Sequence, residues 1–368
     1  MEREITRPTY AEISLENAKY NVNQIQKLVG NNIKIMPVIK ANAYGTNLNL
    51  CRDYTDLFDI VAVAIVDEGL DIREAGYLKD IFVLNQPYVT EIDKIIENDL
   101  IVGISSDNFV DELGKKAEEI GKQVRVHVEI GSGMGRTGIH PNRVEEYINH
   151  IKQYKNILID GVYTHLSSAD IDEEYTKAQL RSFDIAVAKA KEMVDTIRYV
   201  HAQASTGILN FNEGKYNLVR PGLILYGFYP DKSFEDKIDI KPVVTKLAST
   251  VTFLKTVPAN FSIGYARSYI TSRETKVATI PIGYADGFRR ILSNNWSVSI
   301  NGKRVPIIGN VCMDSFMADV TDIDVKVGDE VIIFDNENIT LEEYASSSSG
   351  ITYEMISTIS QRVPRKYI

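Results

Sequence analysis

Short apolar runs alternate with longer polar stretches of helical spacing from Ile33 to about Tyr226. Eight such runs recur: Ile33 to Lys40, Phe58 to Ile65, Asp80 to Asn85, Ile101 to Ser105, Gln123 to Ile130, Ile157 to Leu166, Tyr199 to Ser205 and Tyr216 to Leu225. Several are almost continuously apolar, the pattern of strands covered on both faces. Between them the spacing predicts helices at Asp67 to Leu78, Asp107 to Ile120, Asn142 to Tyr154 and Asp172 to Val194, each opened by Asp or Asn in a capping position. Eight alternations of strand and helix predict an α/β fold, a parallel (β/α)8 barrel of the TIM type. The rival, a doubly wound open sheet, lacks its Gly-rich turn after the first strand.

Past Pro230-Asp231-Lys232-Ser233 the helical spacing stops. Val243 to Val257, Lys276 to Ile282, Trp296 to Ile308, Phe316 to Val320 and Glu330 to Phe334 read as strands, and Asn301-Gly302 is a two-residue hairpin turn. The expected division is a barrel over residues 1–235 and a smaller, all-β or mainly β domain over 236–368, with the first 12 or so residues open to joining the latter. Ser346 to Ser349 before Gly350 reads as a loop and cap.

Composition narrows the function. The 368 residues exceed one ordinary core, and 41 basic against 50 acidic residues leave a net charge of −9, the wrong sign for a nucleic-acid partner. Two cysteines, Cys51 and Cys312, make neither a disulfide framework nor a zinc site. The charged start Met1-Glu2-Arg3-Glu4 and the lack of an apolar run of about 20 residues point to a soluble cytoplasmic protein without a membrane partner.

In such a barrel, function belongs at the carboxyl ends of the strands. Lys40 ends the first run, Arg136 follows the fifth within a Gly-rich loop, His165 ends the sixth, Ser205 the seventh, and Arg220-Pro221-Gly222 falls in the eighth. Each alone is commonplace; five on one rim are not. A lysine leaving the apolar Met36-Pro37-Val38-Ile39 is desolvated, which lowers an amine pKa toward the range of a Schiff-base lysine. Ser205, Gly222 and the Tyr44 hydroxyl suit a phosphate. Together these suggest pyridoxal 5'-phosphate.

Val38-Ile39-Lys40-Ala41-Asn42-Ala43-Tyr44-Gly45 resembles the cofactor-lysine signature of the alanine racemases. Met134 to Gly138, Thr164-His165, Val219 to Gly222, Pro281 to Gly287, Val311 to Asp314 and Arg362 to Arg365 are similar to that family's later motifs, in order. The resemblance implies that Lys40 holds the cofactor and serves as base on one face of the substrate, with Tyr265 on the other. It assigns the phosphate to Tyr44, Ser205, Tyr353 and the backbone at Gly222 and Leu223. Arg136 then faces the phenolic oxygen, and Arg220, touching His165, faces the pyridine nitrogen. Arg136, Tyr284, Met313 and Asp314 contact the substrate amino acid, and Tyr265, Tyr284 and Met313 come from the second subunit of a homodimer. The implied product, D-alanine, supplies cell-wall peptidoglycan. A tyrosine is a poor base unless positive charge lowers its pKa, and His165 and Arg220 are expected to supply that charge. A guanidinium against the pyridine nitrogen disfavours ring protonation and favours rapid return of the proton.

Four positions depart from the family pattern: Thr46-Asn47-Leu48 after Tyr44-Gly45, Ala204 before Ser205, Ala266, and Glu129 where many members carry a lysine. His201 to Ser205 is similar to the membrane-linked serine racemases, whereas Tyr353 favours alanine. The alternatives are a serine or broad-specificity racemase, a decarboxylase of the same fold type, and a non-enzymatic pyridoxal phosphate homeostasis protein, which resembles the barrel half alone. Alternation along Gln123 to Ile130 turns Arg125, His127 and Glu129 into the barrel. In relatives the lysine at this position is often carbamylated, so Glu129 is expected to hold Arg136; the competing expectation is that it pairs with Arg125.

Overall fold

The structure, a computed structural model, describes residues 6–368. The chain opens with β1 (Tyr10–Ile13) and a helix over Leu15–Val29. Each of the eight apolar runs then carries a strand: β2 (Lys34–Ile35), β3 (Ile60–Val63), β4 (Asp80–Val83), β5 (Leu100–Ile104), β6 (Val124–Glu129), β7 (Ile157–Tyr163), β8 (Tyr199–His201) and β9 (Leu218–Val219). Strands β3 to β8 form one parallel sheet in chain order, and β2 pairs in parallel with β9. Backbone bonds close the ring at both seams. Ala62 N–H donates to Pro37 O and Ile39 N–H to Ala62 O, each at 2.8 Å, while Arg220 N–H reaches Gln203 O at 2.9 Å. The result is the barrel, with β3 and β5 buried along their whole length.

Helices follow the strands at Val66–Glu74, Asp107–Ile120, Val144–Ile151 and Glu173–Met193. Of the four expected caps only Asp172 acts as one, accepting Tyr175 N–H at 2.9 Å. Asp107 lies one residue and Asp67 two residues past the cap position, inside the first turn, where an acid meets the helix dipole instead of the free N–H groups. Ser106 caps the second helix, and the third is entered through the turn Pro141–Arg143, opened by the His140 ring.

The remaining strands are β10 (Val244–Thr250), β11 (Phe253–Val257), β12 (Ser262–Ile263), β13 (Tyr269–Ile270), β14 (Thr275–Ile280), β15 (Ser297–Ile300), β16 (Lys303–Pro306), β17 (Phe316–Asp319), β18 (Glu330–Phe334) and β19 (Arg365–Tyr367). One sheet has the order β16-β15-β18-β10-β1-β19 and another β11-β14-β17. Val243 to Val257 therefore splits into two strands. The β15–β16 hairpin turns at Asn301 (φ 51°) and Gly302 (φ 72°), the two left-handed residues that match strand twist. This region is not all-β: helices span Leu341–Ser347 and Thr352–Ser357, and Ser346 and Ser347 finish the first of them. Two compact units result, one of residues up to Glu16 with Tyr44–Thr46 and Pro242–Ile368, the other of Asn17–Ala43 and Asn47–Lys241. Among the described residues no helix is long and apolar enough to cross a membrane.

Candidate active site

Lys40 stands where the chain leaves the barrel wall. The four residues after it, Ala41, Asn42, Ala43 and Tyr44, have φ between 51° and 54°. A left-handed turn of non-glycine residues costs about 1–2 kcal/mol per residue and persists only where its surroundings enforce it. Glu68 supplies part of that support: Oε1 accepts Ala41 N–H at 2.6 Å and Oε2 accepts Ala64 N–H at 2.8 Å, tying the turn to the end of β3. Burial, then the Arg136 charge, lowers the Lys40 pKa against the opposing pull of Glu68. This is the desolvated amine the sequence implied.

The buried Arg220 guanidinium, just past β9, donates to His201 Nδ1 at 2.8 Å, Thr164 O at 2.9 Å, His165 Nδ1 at 3.3 Å and Ala202 O at 3.4 Å. Among the described residues no carboxylate pairs with it. Burial, chiefly, brings it down to about 10. The expected contact with His165 is present, but its expected charge is not. Burial, followed by the repulsion of Arg220, Arg136 and Lys40, depresses the imidazole to about 3, so His165 is neutral and only the arginines and lysine bring positive charge.

Ser205 opens the short helix Ser205–Asn210, and its Oγ accepts Gly222 N–H at 3.2 Å and Ile224 N–H at 3.3 Å, so the amides on either side of Leu223 converge on one hydroxyl. Arg136 is exposed in the Gly-rich loop whose residues Gly131 to His140 line a cavity of about 350 Å³. Glu129 faces inward as expected, yet its bond comes from Thr137 Oγ1 at 2.9 Å rather than from Arg136. Arg136 contributes only its field at Glu129, after burial, which raises the carboxyl, and the Thr137 and Tyr163 hydroxyls, which oppose it. The competing pairing is excluded, because Arg125 is taken by Asp80 at 2.7 Å and Asp99 at 3.0 Å.

In the other unit, Tyr44 is pushed up to about 12 by burial and then by Tyr353 nearby. A second group gathers motifs remote in sequence. Tyr284 N–H donates to Cys312 O at 3.1 Å, Ala285 N–H to Met313 O at 3.0 Å, and Asn310 Nδ2 to Tyr265 O at 2.9 Å. Gly283 is required there, since a Cβ would lie 2.4 Å from the carbonyls of Cys312 and Met313. Asp314 accepts Arg362 at 2.6 Å, and buried Asp286 accepts Arg7 and Gly283 N–H. Tyr265, Tyr284 and Met313 are thus brought together and left exposed, Tyr265 by 71%.

Residues 13–230 match the family profile described as "Alanine racemase, N-terminal domain", and residues 244–367 that of the C-terminal domain. The chain belongs to the alanine racemase family. An alanine racemase of Halothermothrix orenii is 37% identical over 100% of this chain and 98% of its own, and one of Methanococcus maripaludis is also 37% identical, over 99% and 100%. Among solved structures, alanine racemase of Clostridium difficile 630 superposes with a TM-score of 0.91 at 36% identity over 99% and 97% of the two chains. That of Bacillus anthracis, with bound L-Ala-P, gives 0.92 at 32% identity over 100% and 96%. A match extending across the C-terminal region removes the barrel-only homeostasis reading. The enzyme is an isomerase of this family by both comparisons.

The sequence turned His127 into the barrel but gave no role to Glu68, Thr137, Tyr163 or His201 in the site's surroundings. An inward-facing histidine on β6 was the one available signal.

Proposed function

We propose that the protein interconverts L- and D-alanine with pyridoxal phosphate as its cofactor and acts as a cytoplasmic homodimer. What carries the reading is the pairing of a desolvated Lys40 amine with a buried Arg220 that has no carboxylate partner, on a rim where Ser205 and the Gly222 and Ile224 amides converge. These residues fit the group: an amine for its aldehyde, a guanidinium for its ring nitrogen and polar hydrogens for its phosphate. The bound cofactor supplies a sink for the electron pair left when Cα loses its proton. Lys40 takes or returns that proton on one face. The Tyr265 phenol, from the second subunit, does so on the other, and its exposure in the single chain suits that role. Tyr44 and Tyr353 are read as further phosphate ligands, Arg136 as the partner of the phenolic oxygen, and Tyr284, Met313 and Asp314 as substrate contacts. D-Alanine for peptidoglycan is the product this reading supplies.

Chiral analysis of purified protein given L-alanine or L-serine tests the substrate. Alanine should turn over with about tenfold or greater advantage, since an added hydroxyl that finds no partner costs about 1–3 kcal/mol. Equal efficiencies would favour the broad-specificity alternative. Lys40→Ala should lose the borohydride-reducible cofactor and lower turnover by about 10² or more. Mixed refolding of Lys40→Ala with Tyr265→Phe should restore about a quarter of parental activity, through heterodimers with one intact site in two. No recovery would remove the shared site.

A further inference from the structure

A file of five polar side chains runs through the barrel interior from the carboxyl rim toward the opposite end of the strands. Arg220 donates to His201 Nδ1 at 2.8 Å, and His201 Nε2 lies 2.9 Å from His127 Nδ1. His127 Nε2 faces Asp160 Oδ2 at 3.9 Å, and Asp160 is held by two bonds from Arg198, at 2.5 and 2.6 Å. His127, His201 and Asp160 are fully buried, whereas the Arg198 side chain is 51% exposed just before β8 begins. The proposed reaction uses none of these four.

Elementary chemistry gives the file a direction. A guanidinium only donates, so His201 Nδ1 must be bare and its single proton must sit on Nε2. That proton is then donated to His127 Nδ1, which leaves the His127 proton on Nε2, pointing toward Asp160. Both rings are neutral. Burial lowers His201 first, then Arg220 and His127; burial lowers His127 against Asp160 and Asp80, with Arg198 adding to the lowering. The strands are shaped around these rings. A Cβ on Gly161 of β7 would lie 2.7 Å from the His127 ring, and one on Gly103 of β5 would lie 2.2 Å from the Tyr163 hydroxyl. Tyr163 in turn stacks on His201 at 5.1 Å, and Phe82 on His127 at 4.5 Å.

We propose that His201 and His127 are positioning residues: neutral, each with its proton on Nε2, they form a one-directional hydrogen-bonded file that fixes the Arg220 guanidinium and ends in a buried His127 N–H facing Asp160 across 3.9 Å, which couples the file electrostatically to the Asp160–Arg198 pair. The tautomers follow from this chain alone; the effect on chemistry rests on the pyridoxal phosphate reading of the rim.

Histidine-selective ¹⁵N NMR of the whole enzyme tests the first part, because the chain has only five histidines and His127→Asn and His201→Asn assign the two signals. Both should show a protonated Nε2 and a bare Nδ1, unchanged across neutral pH. A ring protonated on Nδ1, or on both nitrogens, overturns this arrangement. Coupling is read from the pH midpoint of the bound cofactor's visible band. Asp160→Asn removes a negative charge and should lower that midpoint by a few tenths of a unit. In a His201→Asn background, where Arg220 keeps an acceptor but the file is cut, the shift should shrink to its through-space part and so be clearly smaller than in the parent. Should Asp160→Asn not fold, Arg198→Gln at the exposed end should shift the midpoint upward. Equal shifts in both backgrounds, or none in the parent, would overturn the coupling. A parent protein with no visible cofactor band would instead count against the cofactor reading, leaving the tautomers to be judged by NMR.

Discussion

Two buried arginines, one in each unit, contrast a clamp with the shell of a residue proposed to act at the reactive site. Burial brings both guanidinium groups down to about 10. Arg365 donates only to backbone carbonyls: Gly45 at 2.9 Å, Ser360 at 2.7 Å, Val363 at 2.5 Å and Ile359 at 2.7 Å. A carbonyl has one protonation state, so this shell can only hold. It fastens Gly45, where a Cβ would lie 2.0 Å from Ile356 O, to the end of the helix that carries Tyr353. Arg220 shares its donors between two carbonyls and two imidazoles, acceptors that respond to charge and to their own neighbours. Stability depends on the first kind of shell, and tunable electrostatics on the second.

The strongest way to break this contrast is to remove each guanidinium in turn. Arg365→Met takes the side-chain donor from the carbonyls of Gly45, Ile359 and Val363, while Ser360 O keeps the Val363 N–H; at about 1–3 kcal/mol for each carbonyl left unpaired this is a large part of any domain's stability, so Tm should fall by roughly 10 °C or more. Arg220→Met should reduce turnover about 10²- to 10³-fold, the range for losing an electrostatic group aimed at developing charge, with a smaller fall in Tm. Comparable losses of Tm and of turnover per folded molecule in both variants would erase the distinction. A smaller effect is expected from Glu129→Gln, which keeps an acceptor for Thr137 but removes the negative charge near Arg136 and Arg220. Turnover or cofactor affinity should drop roughly tenfold, equivalent to about 1.4 kcal/mol. Stability should move the other way. The folded-state pKa of Glu129 is raised, so its contribution is present at low pH and lost as pH rises through that pKa; glutamine escapes the loss. A variant that matches the parent would leave Arg136 dependent on another partner.

Periodicity revealed the barrel because its strands are short, apolar and buried, and each of the eight runs holds a strand. It left the first 12 or so residues open to joining the C-terminal unit, and β1 does join its sheet, where Ala11 pairs with both Leu247 and Arg365; that register is set by partners more than 230 residues away and has no local signature. Motif order nominated Lys40, Arg220 and Tyr265, since such residues sit in short runs with distinctive neighbours. Glu68 and Thr137 escaped because their role lies in which backbone or side-chain atom they meet, and composition around them is ordinary. His165 was expected to carry charge, but burial, and then the three cations around it, depress its pKa only in the folded chain. Caps failed at Asp67 and Asp107, where an offset of only two residues and one residue separates a cap from a first-turn acid.

The gentlest probe of the comparison is acid. His165 has its folded pKa depressed from an unperturbed 6.5 to about 3, and the His201 and His127 pKa values are depressed as well. A depressed histidine contributes stability that is present above its unfolded pKa and lost as pH falls toward the folded one. The barrel should therefore weaken progressively between about pH 6.5 and 3, with His165 accounting for a few kcal/mol at most. Nothing comparable titrates around Arg365, whose four acceptors are carbonyls. The single tryptophan, Trp296, is buried in the C-terminal unit against Tyr344 and reports on that unit, while the visible band of bound cofactor reports on the barrel rim. On acidification the visible band should be lost at a higher pH than the Trp296 emission changes, and His165→Gln should narrow the gap. Coincident transitions in the parent would mean that the two shells fail as one unit and that the imidazole acceptors give the rim no separate response to pH.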